Sequence, residues 1–320
     1  MSTSPKNLFI LLIGLMVLGC TNPAEPPLRL GTNVWPGYEP LYLAREIGAL
    51  ANNRVKLIEY PSATEVIRAF RNGSLELASL TLDEVLLLLQ DGIPVKVILV
   101  HDISNGADVI LARQGINSMK QIRGKRVAVE SGALGAYILA RALELNHMSF
   151  GDVQIRHLDV NMHEAAFDRS EVDVVVNFEP VRTRLIKTGA REVFSSREIY
   201  GEVVDVLVVH DNVMARRGQD LEYLVKGWFT ALNYFSRNPR DAAAVMSKRL
   251  GIGVEEIIGS YHGLTLPSTE ENKSMLGGDK PALAATIKHL ERILRTNRLL
   301  HAGIDTQDLF SGALLPDPVK

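Results

Sequence analysis

From Leu28 onward, short apolar runs alternate with longer segments whose apolar residues recur at helical spacing. The first apolar runs are Leu28–Trp35, Lys56–Tyr60 and Leu75–Leu80, and they predict strands. Between them, Pro40–Leu50 and the segment after Ser62 predict helices, the first opened by a proline and the second by a capping residue. Such alternation builds parallel sheets with helices on both faces, and it constrains the fold more than any other feature of the chain.

Two capping boxes predict where helices begin. Ser62 precedes Glu65 by three residues, and Thr81 precedes Glu84 in the same way. The alternation then continues to a last clear strand at Val203–Val209. We predict that the remainder is helical, over Asp220–Ser236, Asp241–Leu250, Val254–Tyr261 and Lys280–Thr296.

Composition excludes several classes of function. Of the 320 residues, 46% are hydrophobic and 22% are charged, which argues against disorder. The formal net charge of −2 argues against a nucleic-acid binder, which normally carries a basic face. The single cysteine can form neither an internal disulfide nor a cysteine-rich zinc site. The histidines are scattered, so His157 and His163 are interpreted as surface residues and no metal site is predicted.

The first 20 residues differ from the rest of the chain. Lys6 is the only charge before the apolar run Leu8–Leu18, which is too short for the roughly 20 residues that span a membrane. The sequence that ends at Cys20 resembles a bacterial lipoprotein signal, in which the cysteine is lipidated. Residues 1–20 are therefore interpreted as a lipoprotein signal peptide and the proline-rich residues 21–27 as a tether. An ordinary signal peptide with a coincidental cysteine is the alternative.

Polar and aromatic side chains follow the predicted strands, where open parallel sheets bind ligands. The candidate ligand-binding residues are Trp35, Tyr38, Glu39, Ser62, Thr64, Thr81, Asp83, Ser104, Ser131, Asn177, Glu179 and Asp205. Trp35 and Tyr38 are the strongest, because aromatic rings supply much of a pocket's contact area. Helix capping alone would explain Ser62 and Thr81, and Asp205 is equally compatible with a hinge or a solvent-facing position.

Signatures of catalysis are missing from the sequence. It contains no Gly-x-Gly-x-x-Gly, no P-loop, no His-Glu-x-x-His and no Gly-x-Ser-x-Gly motif. We therefore predict no catalytic residue and no cofactor. The pattern favours a protein that binds a small molecule without transforming it.

Four segments resemble the nitrate/sulfonate/taurine-type substrate-binding proteins of ABC importers, which are akin to the pyrimidine-precursor binders of thiamine uptake. The segments are Leu30–Glu46, Ser62–Leu86, Arg123–Leu143 and Val172–Leu185. The resemblance implies an α/β, two-lobed periplasmic binding protein fold of type II, with the ligand in the cleft. Residues 28–110 and 205–320 would form lobe 1 and residues 111–204 lobe 2, with a hinge near Ala107–Leu111 and Val204–Val208.

The same resemblance implies the partners and most of the site. The cleft would be lined by Trp35, Tyr38, Ser62, Thr64, Thr81, Ser131, Asn177 and Glu179. The protein would be a monomer on the periplasmic face of a membrane, lipid-anchored through Cys20, and it would deliver its solute to a permease with an ATPase subunit. The predicted cleft loops carry six carboxylates and neither Arg nor Lys. That charge favours an amine-bearing, zwitterionic or heterocyclic solute over nitrate.

Two other functions remain open at this stage. A lipoprotein that reports ligand binding to a membrane receptor would use the same cleft. An enzyme on the same fold is the third hypothesis, since a fungal thiamine-pyrimidine synthase and chorismate-type dehydratases are related. The export signal and the lack of a cysteine-rich segment argue against the enzymes.

Overall fold

The structure is a computed structural model that describes residues 25–317. The predicted signal peptide, Cys20 and the first residues of the predicted tether lie outside the described residues. At the end of that tether, the Glu25 carboxylate pairs with Arg217 at 2.8 Å. Within residues 25–317, no helix is both long enough and apolar enough to cross a membrane.

The strands and helices follow the alternation expected from the sequence. The strands are β1 (Leu28–Thr32), β2 (Val55–Glu59), β3 (Leu77–Thr81), β4 (Val95–Ser104), β5 (Asp108–Ala112), β6 (Arg126–Val129), β7 (Gln154–His157), β8 (Val174–Phe178), β9 (Arg191–Ser195), β10 (Val204–His210) and β11 (Leu264–Thr265). The helices are α1 (Glu39–Glu46), α2 (Ala63–Arg71), α3 (Leu82–Gln90), α4 (Leu134–Leu145), α5 (Val160–Asp168), α6 (Val181–Lys187), α7 (Asp211–Arg216), α8 (Gly218–Arg237), α9 (Pro239–Leu250), α10 (Val254–Ser260), α11 (Thr269–Leu276) and α12 (Leu283–Thr296).

In the described part of the chain, these strands form two sheets. The first sheet has the order β11-β4-β10-β3-β1-β2, and the second has the order β7-β6-β8-β5-β9. The expectation of parallel pairing is correct for β1 to β3 and for β6 to β8. It is wrong for β10 and β5, which run antiparallel to both of their neighbours. The chain reaches each of these two strands directly from the other sheet, and each strand therefore runs opposite to its neighbours.

The central strands are buried on both faces, as a sheet covered by helices requires. All residues of β3 and β5 are buried, and their sequences are nearly continuous apolar runs. Amphipathic helices cover them; α2, for example, buries Val66, Ile67 and Phe70. The predicted cap at Ser62 is confirmed, because its hydroxyl accepts a hydrogen bond from the Glu65 N–H at 3.3 Å. Burying such apolar faces contributes roughly 25 cal/mol per Å² and supplies most of the folding energy.

Several short elements were not predicted. They include β9, β11, α6, α7 and α11, which are too short or too polar to show a clear period. The short helix expected at residues 118–124 is a 3-10 turn over Met119–Ile122. His163 was expected at the surface, but it is fully buried, and its two ring nitrogens lie 3.1 and 3.0 Å from the carbonyl oxygens of Val176 and Leu158. On α5 it therefore faces β8 and serves packing.

The chain crosses between the two sheets at residues 105–107 and 196–203, and the crossings lie side by side. The Ser104 and Ser196 hydroxyl oxygens are 2.8 Å apart, and the Gly106 N–H donates to Ser196 Oγ at 2.6 Å. Gly106 has φ +110°, and a Cβ there would lie 2.6 Å from the Arg197 side chain, so this crossing requires glycine. The paired crossings bring the carboxyl ends of β1, β3 and β4 against the second sheet.

Candidate functional site

Two adjoining cavities lie between the sheets. The inner chamber has a volume of about 30 Å³ and is lined by Asn33, Trp35, Tyr38, Ala63, Thr81, Glu84, Asp108, Leu134, Phe178 and Asp205. The outer cavity has a volume of about 290 Å³ and is lined by Asn33, Val34, Pro61, Val160, Asn161, Glu164, Phe178, Pro180, Val181, Arg184, Arg249 and Leu250. They share Asn33 and Phe178, so the outer cavity leads towards the inner chamber.

Trp35 and Tyr38 form one wall of the inner chamber. The Pro36-Gly37 turn after β1 directs both rings inward, and only 4% and 3% of their surfaces are exposed. Trp35 Nε1 donates to Asp102 Oδ2 at 3.1 Å, and the indole meets the edge of Phe178 from the second sheet, with centroids 5.5 Å apart. This aromatic contact joins the two walls of the cleft.

A row of polar side chains crosses the first sheet at the floor of the chamber. Asp205 on β10 lies directly opposite Thr81 on β3 and opposite Asp102 on β4. Facing residues on neighbouring strands have Cβ atoms about 5 Å apart, and like charges in that position repel. The Tyr38 hydroxyl donates to Asp205 Oδ1 at 2.5 Å. Asp108, the first residue of β5, and Glu84 of α3 line the chamber together with Asp205, whereas Asp102 lies next to Asp205 outside the lining.

Burial and mutual repulsion shift the ionisation of these carboxyl groups. Burial raises the pKa of Asp102 to about 8 and that of Asp108 to about 7. Burial, followed by the charges of Asp102 and Asp108, raises the pKa of Asp205 well above its ordinary value. The neighbouring imidazole of His101 is neutral, since burial lowers its pKa to about 3. The chamber and the strand next to it thus hold acids that resist ionisation, because burial disfavours the charged form and no positive charge compensates it.

Several of these polar atoms have no hydrogen-bond partner among residues 25–317. They are Thr81 Oγ1, Asp83 Oδ1, Asp102 Oδ1 and Asp108 Oδ2, all fully shielded from solvent. Buried polar groups in proteins are nearly always paired, so each unpaired atom requires an explanation. Within the described residues, no Arg, Lys or His nitrogen lies within 4 Å of the carboxylates of Asp102, Asp108 or Asp205.

Two glutamates connect the walls of the cleft. Glu84 accepts hydrogen bonds from the Thr81 N–H at 2.9 Å and from the Leu134 N–H at 3.1 Å, at the start of α4. Glu130, which follows β6, accepts a hydrogen bond from the Thr64 N–H at 2.9 Å, in the first turn of α2. Each carboxylate therefore caps a helix on the opposite side of the cleft.

Arginines line the outer cavity, which corrects the expectation that the cleft has no cationic side chain. Arg184 projects from α6 and Arg249 from α9, whereas the sequence argument considered only the loops after strands. Both are ion-paired: Arg184 contacts Glu164 at 2.7 Å, and Arg249 contacts Glu39 at 3.2 Å. Glu39 is buried and lines neither cavity, so this candidate residue acts as the partner of Arg249. Burial raises the pKa of Glu39 to about 7, and Arg249 opposes that rise.

Of the residues selected from the sequence, Trp35, Tyr38, Thr81 and Asp205 come together in the inner chamber. Asn177 lines an adjoining space of about 10 Å³ and binds the backbone of Phe178. Ser62 caps α2 behind the chamber.

Others lie outside the lining of both cavities. The Ser104 hydroxyl binds Ser196 at the crossing, and Ser131 is exposed beside His157. Glu179 accepts hydrogen bonds from Arg182 Nη1 at 3.0 Å and from the Thr183 N–H at 3.1 Å. Thr64 lies beside Gly132, and Asp83 is buried under the start of α3, where burial raises its pKa to about 6.

The sequence argument missed Asp108, Phe178 and Arg249 as cavity residues. Asp108 opens the strand that follows the first crossing, so a search limited to the carboxyl ends of strands passes over it. Phe178 ends β8 next to a selected residue and could have been found by the same rule. Arg249 belongs to a helix far along the chain and carries no local signal.

Comparison with known proteins agrees with this architecture. A family model described as the NMT1-like family matches residues 21–251. The taurine-binding periplasmic protein of Escherichia coli strain K12 is 21% identical over 245 residues, which cover 73% of this chain and 75% of that protein.

Solved structures share the fold at low sequence identity. The periplasmic aliphatic sulphonate binding protein SsuA of Escherichia coli superposes with a TM-score of 0.73 at 18% identity, covering 89% of this chain and 97% of that one. The desulfurization enzyme DSZB superposes with a TM-score of 0.65 at 15% identity, covering 90% and 97%. These likenesses confirm the periplasmic binding protein fold expected from the sequence. The family match extends over more than half of the chain, and the protein therefore belongs to the NMT1-like family.

Proposed function

We propose that this protein is the solute-binding component of an ABC importer, and that it captures a small polar solute between its two sheets. The observation that carries the proposal is the pair of adjoining cavities between the two sheets. In the described chain the backbone connects these sheets only at the two neighbouring crossings. Hinged domains of this kind close around ligands. Membership of the NMT1-like family and the periplasmic binding proteins among its relatives support the same function.

The proposal assigns a role to each part of the cleft. We place the lobe boundaries at the crossings, residues 105–107 and 196–203, rather than at 110/111 and 204/205, because all of β5 pairs in the second sheet and all of β10 in the first. Residues 28–104 with 204–317 then form one lobe, and residues 108–195 form the other. Trp35, Tyr38, Thr81 and Asp205 contact the solute in the inner chamber. The remaining predicted residues support these four residues or the closed state. Ser62 and Thr64 lie at the start of α2, Asp83 lies at the start of α3, and Asn177 and Glu179 lie at the end of β8. Glu39 lies behind Arg249, Ser104 lies at the crossing, and Ser131 lies at the rim.

A thermal-shift screen of the purified protein tests solute binding. The panel contains sulfonates, nitrate, primary amines, betaines, amino acids and pyrimidines. A solute at a hundred times its dissociation constant adds about 2.7 kcal/mol to the free energy of unfolding. We expect at least one solute to raise the melting temperature, and Trp35→Ala to remove the effect. Tyr200→Ala is the matched control, since that aromatic side chain is 57% exposed and lies outside both cavities. A folded protein that responds to no solute would refute the proposal.

Uptake measurements distinguish the importer from a sensor. Deletion of the gene should abolish accumulation of the radiolabelled solute, and a plasmid copy should restore it. Undiminished uptake in the deletion strain would favour the receptor-coupled sensor instead.

We further propose binding without chemistry. After prolonged incubation with the protein, mass spectrometry should recover the solute unchanged in stoichiometric amount. Conversion of the solute into a product would instead support the enzyme hypothesis. A desulfurization enzyme shares this fold, so the fold by itself does not decide between binding and catalysis.

Lipid anchoring through Cys20 is a separate part of the proposal and rests on the sequence alone. Cells grown with radiolabelled palmitate should label the wild-type protein in the membrane fraction. The variant Cys20→Ala should carry no label, whereas equal labelling of both would refute anchoring at this residue. Size-exclusion chromatography with light scattering tests the proposed monomer.

A further inference from the structure

Resting on the proposed solute-binding function, we propose that the solute carries an ammonium group, which the inner chamber binds through Thr81 Oγ1, Asp108 and Asp205. The remainder of the solute occupies the outer cavity. Three independent features of the chamber support this assignment: its unpaired acceptors, its size and the charge around it.

The acceptors match an ammonium group. Thr81 Oγ1 and Asp108 Oδ2 are buried, line the chamber and have no partner among the described residues. Asp205 lines the same chamber and faces Thr81 across the strand pair, and its Oδ1 already accepts a hydrogen bond from the Tyr38 hydroxyl. A primary ammonium presents three N–H donors and no acceptor, so it can satisfy the two unpaired oxygens and donate its third N–H to the Asp205 carboxyl group. The side chains of these three residues are at least 96% buried, so bulk water does not pair them.

The size of the chamber also agrees. A volume of about 30 Å³ holds one or two groups as large as a water molecule, which is the size of an ammonium head. It is too small for a carbon skeleton of any length. The outer cavity of about 290 Å³ shares Asn33 and Phe178 with it and approaches the volume of small-molecule sites. A solute with its amine at one end would fill both.

The charge around the chamber selects a cation over an anion. Asp102, Asp108 and Asp205 have no cationic partner within the described residues. Two helix starts beside the chamber are already capped, because Glu84 occupies the start of α4 and Glu130 the start of α2. A sulfonate or nitrate in the chamber would therefore meet buried carboxyl groups with no cationic side chain to pair with, whereas an ammonium group would stabilise their ionised form.

A metal ion is the other cation that carboxylates bind. Among residues 25–317, no group of three or more His, Cys, Asp or Glu side chains has the arrangement of a metal site. The aromatic rings of Trp35, Tyr38 and Phe178 around the chamber are instead typical of sites for organic cations.

Isothermal titration calorimetry with three matched pairs of probes tests the inference. The pairs are taurine with isethionate, putrescine with 1,4-butanediol, and 4-aminobutyrate with 4-hydroxybutyrate. In the first and third pairs a hydroxyl replaces the single ammonium opposite a sulfonate or a carboxylate, and in the second pair hydroxyls replace both ammonium groups. We expect at least one amine to bind ten or more times more tightly than its hydroxyl partner.

Two variants locate the effect. Asp108→Asn should reduce the affinity for the binding amine at least tenfold and leave its hydroxyl partner unaffected. Thr81→Val keeps the shape of the side chain and should reduce amine affinity several-fold, so it tests the site even if the first variant were to misfold. Asp241→Asn removes an exposed carboxylate on α9 and should change neither affinity.

The outcomes separate the inference from the proposed function. If hydroxyl members bind as tightly as amines, or if only solutes without an amine bind in the thermal-shift screen, the ammonium inference fails and solute binding stands. Amine binding that both chamber variants leave unchanged also refutes it. If the folded protein binds neither these probes nor any solute of the screen, the proposed function itself fails.

Discussion

Replacing Asp108 by Asn should stabilise the protein at alkaline pH and destabilise it by about 1–2 kcal/mol at acidic pH. The side chain is 2% exposed, and burial raises its pKa from 3.8 to about 7. The carboxyl groups or carboxylates near it are Asp83, Glu84, Asp102, Glu179 and Asp205, and no base among residues 25–317 pairs with it. Ionising Asp108 in the folded state is therefore unfavourable.

The magnitude follows from proton linkage. Above pH 3.8 the unfolded carboxyl group loses its proton, whereas the folded one keeps its proton up to pH 7. Between these values the folded state binds more protons, so stability falls as pH rises. At about 1.4 kcal/mol for each pH unit, the wild-type protein loses about 4 kcal/mol between pH 4 and pH 8 through this group. Asn has no such dependence; its unpaired amide costs about 1–2 kcal/mol at every pH.

Urea unfolding at pH 4 and pH 8, followed by tryptophan fluorescence and circular dichroism, measures the difference. The stability of Asp108→Asn relative to wild type should increase by about 4 kcal/mol from pH 4 to pH 8, because the amide cost cancels in this comparison. Asp241→Asn, an exposed carboxylate, should show no change. A relative stability of Asp108→Asn that stays constant with pH would refute the claim that Asp108 is buried without a cationic partner. The same variant loses amine binding if the inner chamber is the ammonium site.

Three further substitutions test the packing of the cleft. Arg249→Met leaves the Glu39 carboxylate buried without its cation and should lower the free energy of unfolding in urea by about 3 kcal/mol. The double variant with Glu39→Gln should recover most of this loss, and full additivity of the two substitutions would show that the pair does not interact. Gly37→Ala places a Cβ 1.9 Å from Asp102 Oδ2, so calorimetry should detect no solute binding, and wild-type affinity would contradict the geometry of this turn. Glu130→Ala removes a hydrogen bond across the cleft, whereas the control Glu130→Gln retains an acceptor. Small-angle scattering should report a larger radius of gyration for Glu130→Ala than for Glu130→Gln. Equal radii would show that this contact does not hold the cleft closed.

Local patterns predicted much of the fold. The strand and helix alternation, the cap at Ser62 and the mostly apolar central strands depend on residues close together in sequence, so periodicity and capping chemistry find them. The wrong expectations concern direction and burial. Parallel pairing fails at β5 and β10 because the chain changes sheets before each of them, and no local pattern in the sequence records that change.

The candidate site divides in the same way. The sequence by itself determined that Trp35, Tyr38, Thr81 and Asp205 follow or occupy strand ends, because a strand ends where its apolar run meets a turn or a helix cap. Only the tertiary structure decided that Asp205 faces both Thr81 and Asp102, since that contact depends on the register of strands more than 100 residues apart. It likewise decided that Arg249 neutralises Glu39 beside the outer cavity. The free energy of a buried charge depends on every neighbour that the fold places beside it, and those neighbours are distant along the chain.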